Sequence, residues 1–307
     1  MVPNPLLKYS VERLLFEANP NGTKYFRDTH FNKMIFLIYQ SLKQDGIDLK
    51  LPYCWYKHGT LIHQQSFYYM VDLPIDYYVT NHHSTRAMSR LTKNTLKSTI
   101  KSKIDETVIK VVSKYKNGKN RWKTDGPSQL LDDDYSYAPY DFQRIFKRHF
   151  EKYLTVEFKT PIRKKIPRHT SFSPEDITSI DGYLNDLIRT FPGDMDFMND
   201  TYQDWDDTAR LSLECNQDLF LKLVDEFWGI FSKNLRITHF ENIPESEILR
   251  WKTKLLSEEF PTYQNQLAIE RKRLLKIWNS GYTPNEKTMN IVKKMNQISF
   301  EGTFRGK

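Results

Sequence analysis

The chain has 307 residues, of which 39% are hydrophobic and 27% are charged, and its formal net charge is +8. Only Cys54 and Cys215 are present, which excludes a disulfide framework and a cysteine-based zinc cluster and predicts a reducing, cytoplasmic location. The longest apolar stretch, Met34–Tyr39, is too short to span a bilayer, so we expect no association with membranes.

The positive charge is concentrated in the middle of the chain. Residues 86–170 carry 21 Lys and Arg against 9 Asp and Glu, a net charge of +12. Residues 1–85 carry 8 against 7, and residues 171–307 carry 17 against 22. A basic block next to an acidic segment predicts a surface for a polyanion, joined to a part that docks or regulates.

Two helices followed by a hairpin are predicted in the first 72 residues. The patterns favour helices over residues 9–18, with Ser10 as N-cap, and over residues 30–45, with Gly46 ending the second. Residues 51–72 are rich in β-prone aromatic side chains, and the segment from Lys57 to Thr60 can form the turn of a hairpin. This order resembles a winged helix, an analogy of fold that carries no activity.

The basic region begins with a predicted helix over residues 84–116. Cations recur along it at spacings of three and four, but apolar residues project onto the same side, so we expect a break near residues 94–99. Residues 107–123 favour a helix, although Asn117-Gly118 leaves a hairpin open. We expect an exposed loop over residues 124–139 and an amphipathic helix over residues 139–153, followed by a basic linker over residues 160–172.

The remainder of the chain is predicted to be all helix. Ser173-Pro174-Glu175-Asp176 is a strong start signal, with a capping serine, proline at the first helical position and acids in the first turn. The 3.6-residue spacing predicts helices over residues 174–190, 195–214, 217–234, 245–259, 261–280 and 285–298. The predicted fold is therefore mainly α, with a winged-helix-like domain (1–83), a basic helical segment and linker (84–170) and an acidic C-terminal helical bundle (171–307).

Two segments match nuclease motifs. Val156-Glu157-Phe158-Lys159 reads as a strand with the E-x-K pattern of PD-(D/E)xK nucleases, in which the Glu and an upstream acid, here Asp132, Asp133 or Asp134, hold a divalent metal. Arg144 and His149 fit R-x4-H, which resembles the active-site motif of helical HEPN ribonucleases. A solvated strand and a surface helix are the alternative interpretations of these two segments.

Other chemistry has weaker support in the sequence. Asp196, Asp200, Asp204 and Asp207 share a predicted helix face that could bind Mg²⁺, dock a basic partner or be solvated. The chain has no phosphate-binding glycine loop, and the histidines lack supporting ligands at metal-site spacing. We therefore expect no metal and no cofactor.

Residues 31–62 resemble a known family. Lys33-Met34-Ile35-Phe36-Leu37-Ile38, then Gly46, then Tyr56-Lys57-His58-Gly59 are similar to the core of SocA-like (Panacea) antitoxin domains, although Thr60 stands where that family has proline. The resemblance covers a tenth to a fifth of the chain. It implies an α-rich, non-catalytic interaction domain of the kind found in toxin–antitoxin and phage-linked loci.

The sequence thus predicts a non-enzymatic nucleic-acid-binding adaptor or accessory subunit, with antiviral defence or a toxin–antitoxin complex as a setting. A nuclease and a pure protein-interaction subunit are the alternatives. The C-terminal helical part is expected to hold a protein partner or to self-associate. The residues expected to contact phosphates, with Trp122 stacking or wedging, are Arg86, Arg90, Lys93, Lys97, Lys119, Arg121, Trp122, Lys123, Arg163, Lys164 and Lys165.

Overall fold

The computed structural model describes residues 2–18, 28–72, 96–117, 121–122, 126–157 and 172–280. The chain divides into two compact units. We call Met1–Ala138 with Ser232–Lys252 the N-terminal unit, and Pro139–Phe231 with Thr253–Lys307 the aromatic unit. These boundaries differ from the predicted ones after residues 83 and 170, because much of the basic segment packs with the N-terminal helices. Within the described ranges, no helix combines the length and the apolar character needed to cross a membrane.

The chain is mainly helical, as predicted. In the N-terminal unit the helices are α1 (Pro5–Ala18), α2 (Asp28–Gln44), α3 (Gln64–Val71), α4 (Ser98–Tyr115) and α5 (Gly126–Tyr135). Helices α1 and α2 both pack on α4, and their apolar faces form the core.

Helix α1 begins five residues before the predicted N-cap. The Asn4 side chain accepts hydrogen bonds from the Leu6 and Leu7 amides, both at 3.0 Å, and so satisfies two of the free amides of the first turn. Ser10 instead lies inside the helix, where its hydroxyl donates to the Leu6 carbonyl at 2.9 Å. Predicting Ser10 as the N-cap was wrong because proline at the start of a helix, here Pro5, is equally compatible with the first turn.

A small antiparallel sheet lies beside these helices. Strands β1 (Tyr53–Tyr56) and β2 (Gly59–Ile62) form the predicted hairpin, with Tyr56 paired with Gly59. A two-residue strand from far along the chain, Phe240–Glu241, adds to the other edge of β1. Gly46 has a φ of +78° just after α2, which confirms its predicted place at the helix end.

The segment after α4 corrects two expectations. The helix ends at Tyr115, and a short antiparallel ladder follows, β3 (Lys116–Asn117) with β4 (Arg121–Trp122), so helix and hairpin are both present. The loop expected over residues 124–139 is wrong over most of its length, because α5 occupies Gly126–Tyr135. Pro127 falls in the first turn of α5, where proline costs no hydrogen bond.

The aromatic unit begins with a helix that has three parts: α6 (Asp141–Arg144), a π-helical segment (Ile145–Phe150) and α7 (Glu151–Glu157). Then follow α8 (Pro174–Thr190), α9 (Asp196–Cys215) and α10 (Gln217–Thr238). The last residues of α10, the strand β5 (Phe240–Glu241) and most of α11 (Glu245–Lys254) belong to the N-terminal unit, and the chain returns to the aromatic unit after them. A second π-helical segment (Leu255–Glu259) leads into α12 (Phe260–Asn279). The predicted helices agree with these bounds within a few residues. The helix expected over residues 285–298 lies outside the described ranges.

Pro261 was expected to separate two helices, but the chain stays helical through it. A proline inside an α-helix lacks a donor and crowds the preceding turn. The π-helical segment just before it widens the backbone, so that the Phe260 amide donates to the Leu255 carbonyl five residues back. The helix therefore does not end at Pro261, because the π-helical segment before it accommodates the proline.

The core of the aromatic unit is built largely from rings. Trp205 and Phe227 stack with centroids 4.4 Å apart, and Phe146 stacks on Trp228 at 4.8 Å. All four side chains are at most 1% exposed. The Trp205 indole also donates to the Leu223 carbonyl at 2.9 Å, which satisfies its single polar group.

Candidate nucleic-acid interface

A buried polar contact in the N-terminal unit joins α2, β2 and α5. The Lys33 ammonium lies 3.1 Å from Asp134 Oδ2 and donates to the Thr60 carbonyl at 2.5 Å. Asp134 in turn accepts hydrogen bonds from the Thr60 amide at 3.1 Å and from the Thr60 hydroxyl. Both charged side chains are at most 3% exposed. Burial lowers the pKa of Lys33, and the Asp134 carboxylate opposes that effect.

This arrangement gives Gly59 a specific role. Its φ is +86°, a conformation that favours glycine. A Cβ atom here would overlap Asp134 Oδ2 and would lie 2.9 Å from Lys33 Nζ. Gly59 therefore lies directly against the ion pair that Lys33 forms with Asp134. Lys33 and Gly59 are both among the residues that resemble SocA-like domains.

The structure places the predicted nuclease residues in several different settings. Asp134 is committed to Lys33, as described above. Glu157 ends helix α7, so the strand predicted there is wrong at residues 156 and 157: Val156 and Phe158 are β-prone by type, but the helix continues to Glu157. Lys159 lies outside the described residues.

The R-x4-H residues are both at the surface. Arg144 donates to Asp141 Oδ1 at 2.7 Å, and its side chain is 47% exposed. His149 is exposed on the π-helical segment. Over the described part of the chain, no cluster of three or more His, Cys, Asp or Glu side chains could hold a metal ion.

Among the residues expected to contact nucleic acid, Lys97 is the one whose side chain the structure describes. It is exposed just before α4. Arg121 and Trp122 form strand β4, for which the backbone is described. The others lie outside the described ranges; these are Arg86, Arg90, Lys93, Lys119, Lys123, Arg163, Lys164 and Lys165.

Helix α4 carries cations in three different environments. Lys101 sits over the Tyr9 ring, 5.5 Å from its centroid, and Lys103 lies 3.2 Å from Asp45 Oδ2. Lys114 pairs with Asp133 at 2.7 Å. Lys97 and Lys110 are exposed and, across the described ranges, no carboxylate lies within ion-pair distance of them. Helix α4 is anchored in the core through Ile104, Val108 and Val112.

The acidic face of the C-terminal half is partly neutralised within the aromatic unit. Asp204 accepts from Arg271 at 2.5 Å, and Asp207 lies 3.9 Å from the same guanidinium. Asp200 is exposed. The arrangement fits an ion-paired helix face better than a set of ligands around one cation.

Sequence reasoning missed one cation, Arg236. It belongs to no motif and lies in the last turns of α10, where its guanidinium packs against Tyr56 and Trp251. No pattern of neighbouring residues on α10 marks it, because its contacts with Tyr56 and Trp251 arise only through the fold.

Comparisons with known proteins found no relatives. No protein-family model matches the chain, and neither the curated proteins nor the solved structures contain a match.

Proposed function

We propose that this protein is a non-enzymatic nucleic-acid-binding accessory protein whose basic region, residues 86–170, contacts the phosphate backbone. The observation that carries the proposal is the net charge of +12 on this region within a chain of net charge +8. Helix α4 supports it, because one face is fixed in the core while Lys97 and Lys110 remain exposed. The ladder after α4 adds support, since it pairs Lys116 with Trp122 and Asn117 with Arg121 at a tip rich in cations.

The proposed mode of binding is sequence-independent. Lysine and arginine side chains that approach phosphates release condensed counterions, which supplies affinity without reading base edges. Trp122 would stack on an unpaired base or wedge between base pairs, as aromatic side chains do at such interfaces. No metal or cofactor has a role in this mode.

We also propose that the C-terminal helices provide the contact to a protein partner or to a second copy. This proposal is supported by several large apolar side chains that are exposed in the aromatic unit. Among them are Leu256, Ile269 and Ile277, which are 41%, 57% and 36% exposed. The winged-helix-like character of the N-terminal part and the C-terminal bundle belong to the same proposal. A toxin–antitoxin or antiviral defence complex is the proposed setting, and the resemblance of residues 31–62 supports it.

The test is a titration of labelled single-stranded DNA, duplex DNA and RNA by fluorescence anisotropy at several salt concentrations. The variant is Lys97→Glu/Lys110→Glu, which reverses two exposed charges, one just before α4 and one on it. We expect roughly a tenfold loss of affinity at low salt and a salt slope smaller by about 2, because each phosphate contact contributes about one unit to that slope. The matched control is Lys252→Glu/Lys272→Glu, which makes the same charge change at exposed lysines outside the basic region.

Four outcomes separate the alternatives. Equal loss in both double variants would mean that net charge alone matters and would contradict a localised interface. Absence of binding, or binding that does not respond to salt, favours a pure protein-interaction subunit. Cleavage that requires Mg²⁺, is blocked by EDTA and disappears in Glu157→Ala favours a nuclease, and metal-independent cleavage lost in His149→Ala favours a HEPN-like one.

A further inference from the structure

Arg236, near the end of α10, has an unusual environment in the N-terminal unit. Its guanidinium carbon lies 4.4 Å from the centroid of the Trp251 ring and 5.0 Å from that of Tyr56. Its Nε atom is buried and has no hydrogen-bond partner, and none of the described carboxylates forms an ion pair with it. The rings supply apolar and cation–π contacts to the guanidinium, but they accept none of its in-plane N–H hydrogens.

An unmatched guanidinium of this kind is suited to an oxyanion. The N–H groups of arginine form a rigid planar fork that matches two oxygens of one anion. Contacts from Tyr56 and Trp251 restrict the side chain, so little rotamer freedom is left to lose on binding. Buried N–H groups in proteins are nearly always paired, and an exception calls for a partner.

Arg236 lines a cavity of about 440 Å³ in the same unit. One wall is apolar, formed by Leu61, Ile62 and the Trp251 ring. His63 and the two glutamines that begin α3 provide polar groups at the rim. This combination of an apolar wall and a few convergent polar groups is typical of sites for small organic ligands.

The charges around the cavity sum to one positive charge. His63 Nδ1 contacts the Ser66 hydroxyl at 2.7 Å, and Nε2 lies 3.8 Å from Glu247 Oε1. Burial lowers the pKa of His63, with Arg250 and Arg236 acting in the same direction and Glu247 opposing them, so the imidazole is neutral at pH 7. Glu247 is itself held by Arg250 through two hydrogen bonds, one of them 2.9 Å long. Among the residues that the structure describes, the charge of Arg236 therefore remains without a counter-charge.

We propose that this cavity binds a singly charged carboxylate carried on an apolar group, with the guanidinium of Arg236 gripping the carboxylate and the apolar group lying against Leu61, Ile62 and Trp251. A carboxylate fits the single net charge and the planar fork. A phosphate monoester, which carries nearly two charges at neutral pH, would bring the second charge close to Glu247. This site is separate from the proposed nucleic-acid interface and does not depend on it.

The experiment is isothermal titration calorimetry of the full chain with three probes of similar shape: phenylacetate, its neutral analogue 2-phenylethanol, and phenyl phosphate. We expect phenylacetate to bind and 2-phenylethanol to bind at least tenfold more weakly. Arg236→Gln should weaken phenylacetate at least tenfold, whereas Arg236→Lys should have an intermediate effect, because it keeps the charge and loses the fork. Arg189→Gln removes an arginine that is 76% exposed and serves as the control.

An NMR measurement on the wild-type protein tests the site without any substitution. In ¹⁵N-labelled wild type, the Nε–Hε signal of Arg236 should shift on addition of phenylacetate. Tighter binding of phenyl phosphate than of phenylacetate would overturn the carboxylate assignment. No binding of any probe, or binding that leaves the Arg236 signal unchanged, would overturn the site. Neither result bears on nucleic-acid binding, which is measured separately.

Discussion

The two units stabilise their cores by different means. In the N-terminal unit, polar side chains join elements that are far apart in sequence: Lys33 with Asp134, and Glu241 with Tyr39 and Tyr53. In the aromatic unit, stacked rings such as Trp205 and Phe227 fill most of the interior, and a buried polar cluster centres on Arg210, which contacts Asp206 on its own helix and Asp181 on α8. A buried polar pair specifies which two elements pack together, because either charged side chain is destabilising when it is buried without its partner. A core of rings is stabilised mainly by the apolar surface that it buries. Such a core accepts apolar substitutions best when they keep the side-chain volume.

The largest expected effect is in the aromatic unit. Phe227→Ala removes a fully buried ring that stacks on Trp205 and contacts four other rings, so a cavity should remain. We expect a loss of about 3–5 kcal/mol in the free energy of unfolding, measured by urea denaturation. Ile188→Ala, at a side chain that is 48% exposed, is the control and should change stability by less than about 1 kcal/mol. A loss below about 1 kcal/mol in Phe227→Ala would show that the rings repack around the gap.

The next effect is in the N-terminal unit. Asp134→Asn keeps the shape of the side chain but leaves the Lys33 ammonium without a counter-charge. We expect the free energy of unfolding to fall by about 3 kcal/mol, the lower end of the range for a broken buried ion pair. The fall is limited because the pKa of Lys33 is already lowered by burial, so that the ammonium can lose its proton. The measurement is again urea denaturation, with Asp132→Asn on the exposed side of the same helix as control.

A second substitution distinguishes charge from shape at this site. Lys33→Met combined with Asp134→Asn removes the unpaired charge, and stability should return to within about 1–2 kcal/mol of the wild type. If the double variant is as unstable as Asp134→Asn alone, the hydrogen bonds to Thr60 dominate rather than the ion pair.

The smallest effect concerns Glu241. Burial raises the pKa of this carboxyl, but hydrogen bonds from Tyr39, Lys43 and Tyr53 outweigh burial and leave the pKa below its ordinary value. A lowered pKa stabilises the fold above the unfolded value, about 4.3, and that contribution is lost as the pH falls through the folded pKa. Glu241→Gln should therefore cost about 1 kcal/mol at pH 7, after allowance for solvent screening at this partly exposed group.

The pH dependence provides the measurement for Glu241. The difference in unfolding free energy between wild type and Glu241→Gln, from urea titrations at pH 7 and at pH 3, should be smaller at pH 3, because the wild-type carboxyl takes up a proton as the pH falls. A constant difference between the two proteins across this range would show that the carboxylate charge plays no part in holding β5 against β1.

The sequence predicts features that depend on neighbouring residues better than features that depend on residues far apart in the chain. Helix α8 begins and ends where the sequence places it, since Ser173 accepts from the Asp176 amide and Pro174 occupies the first helical position. The β1–β2 hairpin also follows from local turn chemistry. Helix α5 was missed because three consecutive aspartates and a Gly-Pro pair resemble a loop, yet Asp134 becomes stable there only through Lys33, about a hundred positions earlier.

The candidate sites show the same division. The basic region is visible in the sequence because it is a matter of composition over 86–170. The Arg236 cavity is not, since it joins β2, the start of α3, α10 and α11, and no local pattern connects His63 to Trp251. Strand β5 is likewise two residues long and finds its partner nearly two hundred positions away. Such features depend on tertiary packing, which periodicity does not report.

The overlap that a Cβ atom would cause at Gly59 has an evolutionary consequence. Lys33, Gly59 and Asp134 constrain one another, so a lineage that replaces the glycine must also remodel or abandon the charges beside it. We expect descendants of this chain to keep or lose the three residues together, even where their remaining sequence has diverged. A lysine, a glycine 26 positions later and an aspartate 75 positions after that form a signature with which distant kin could be sought.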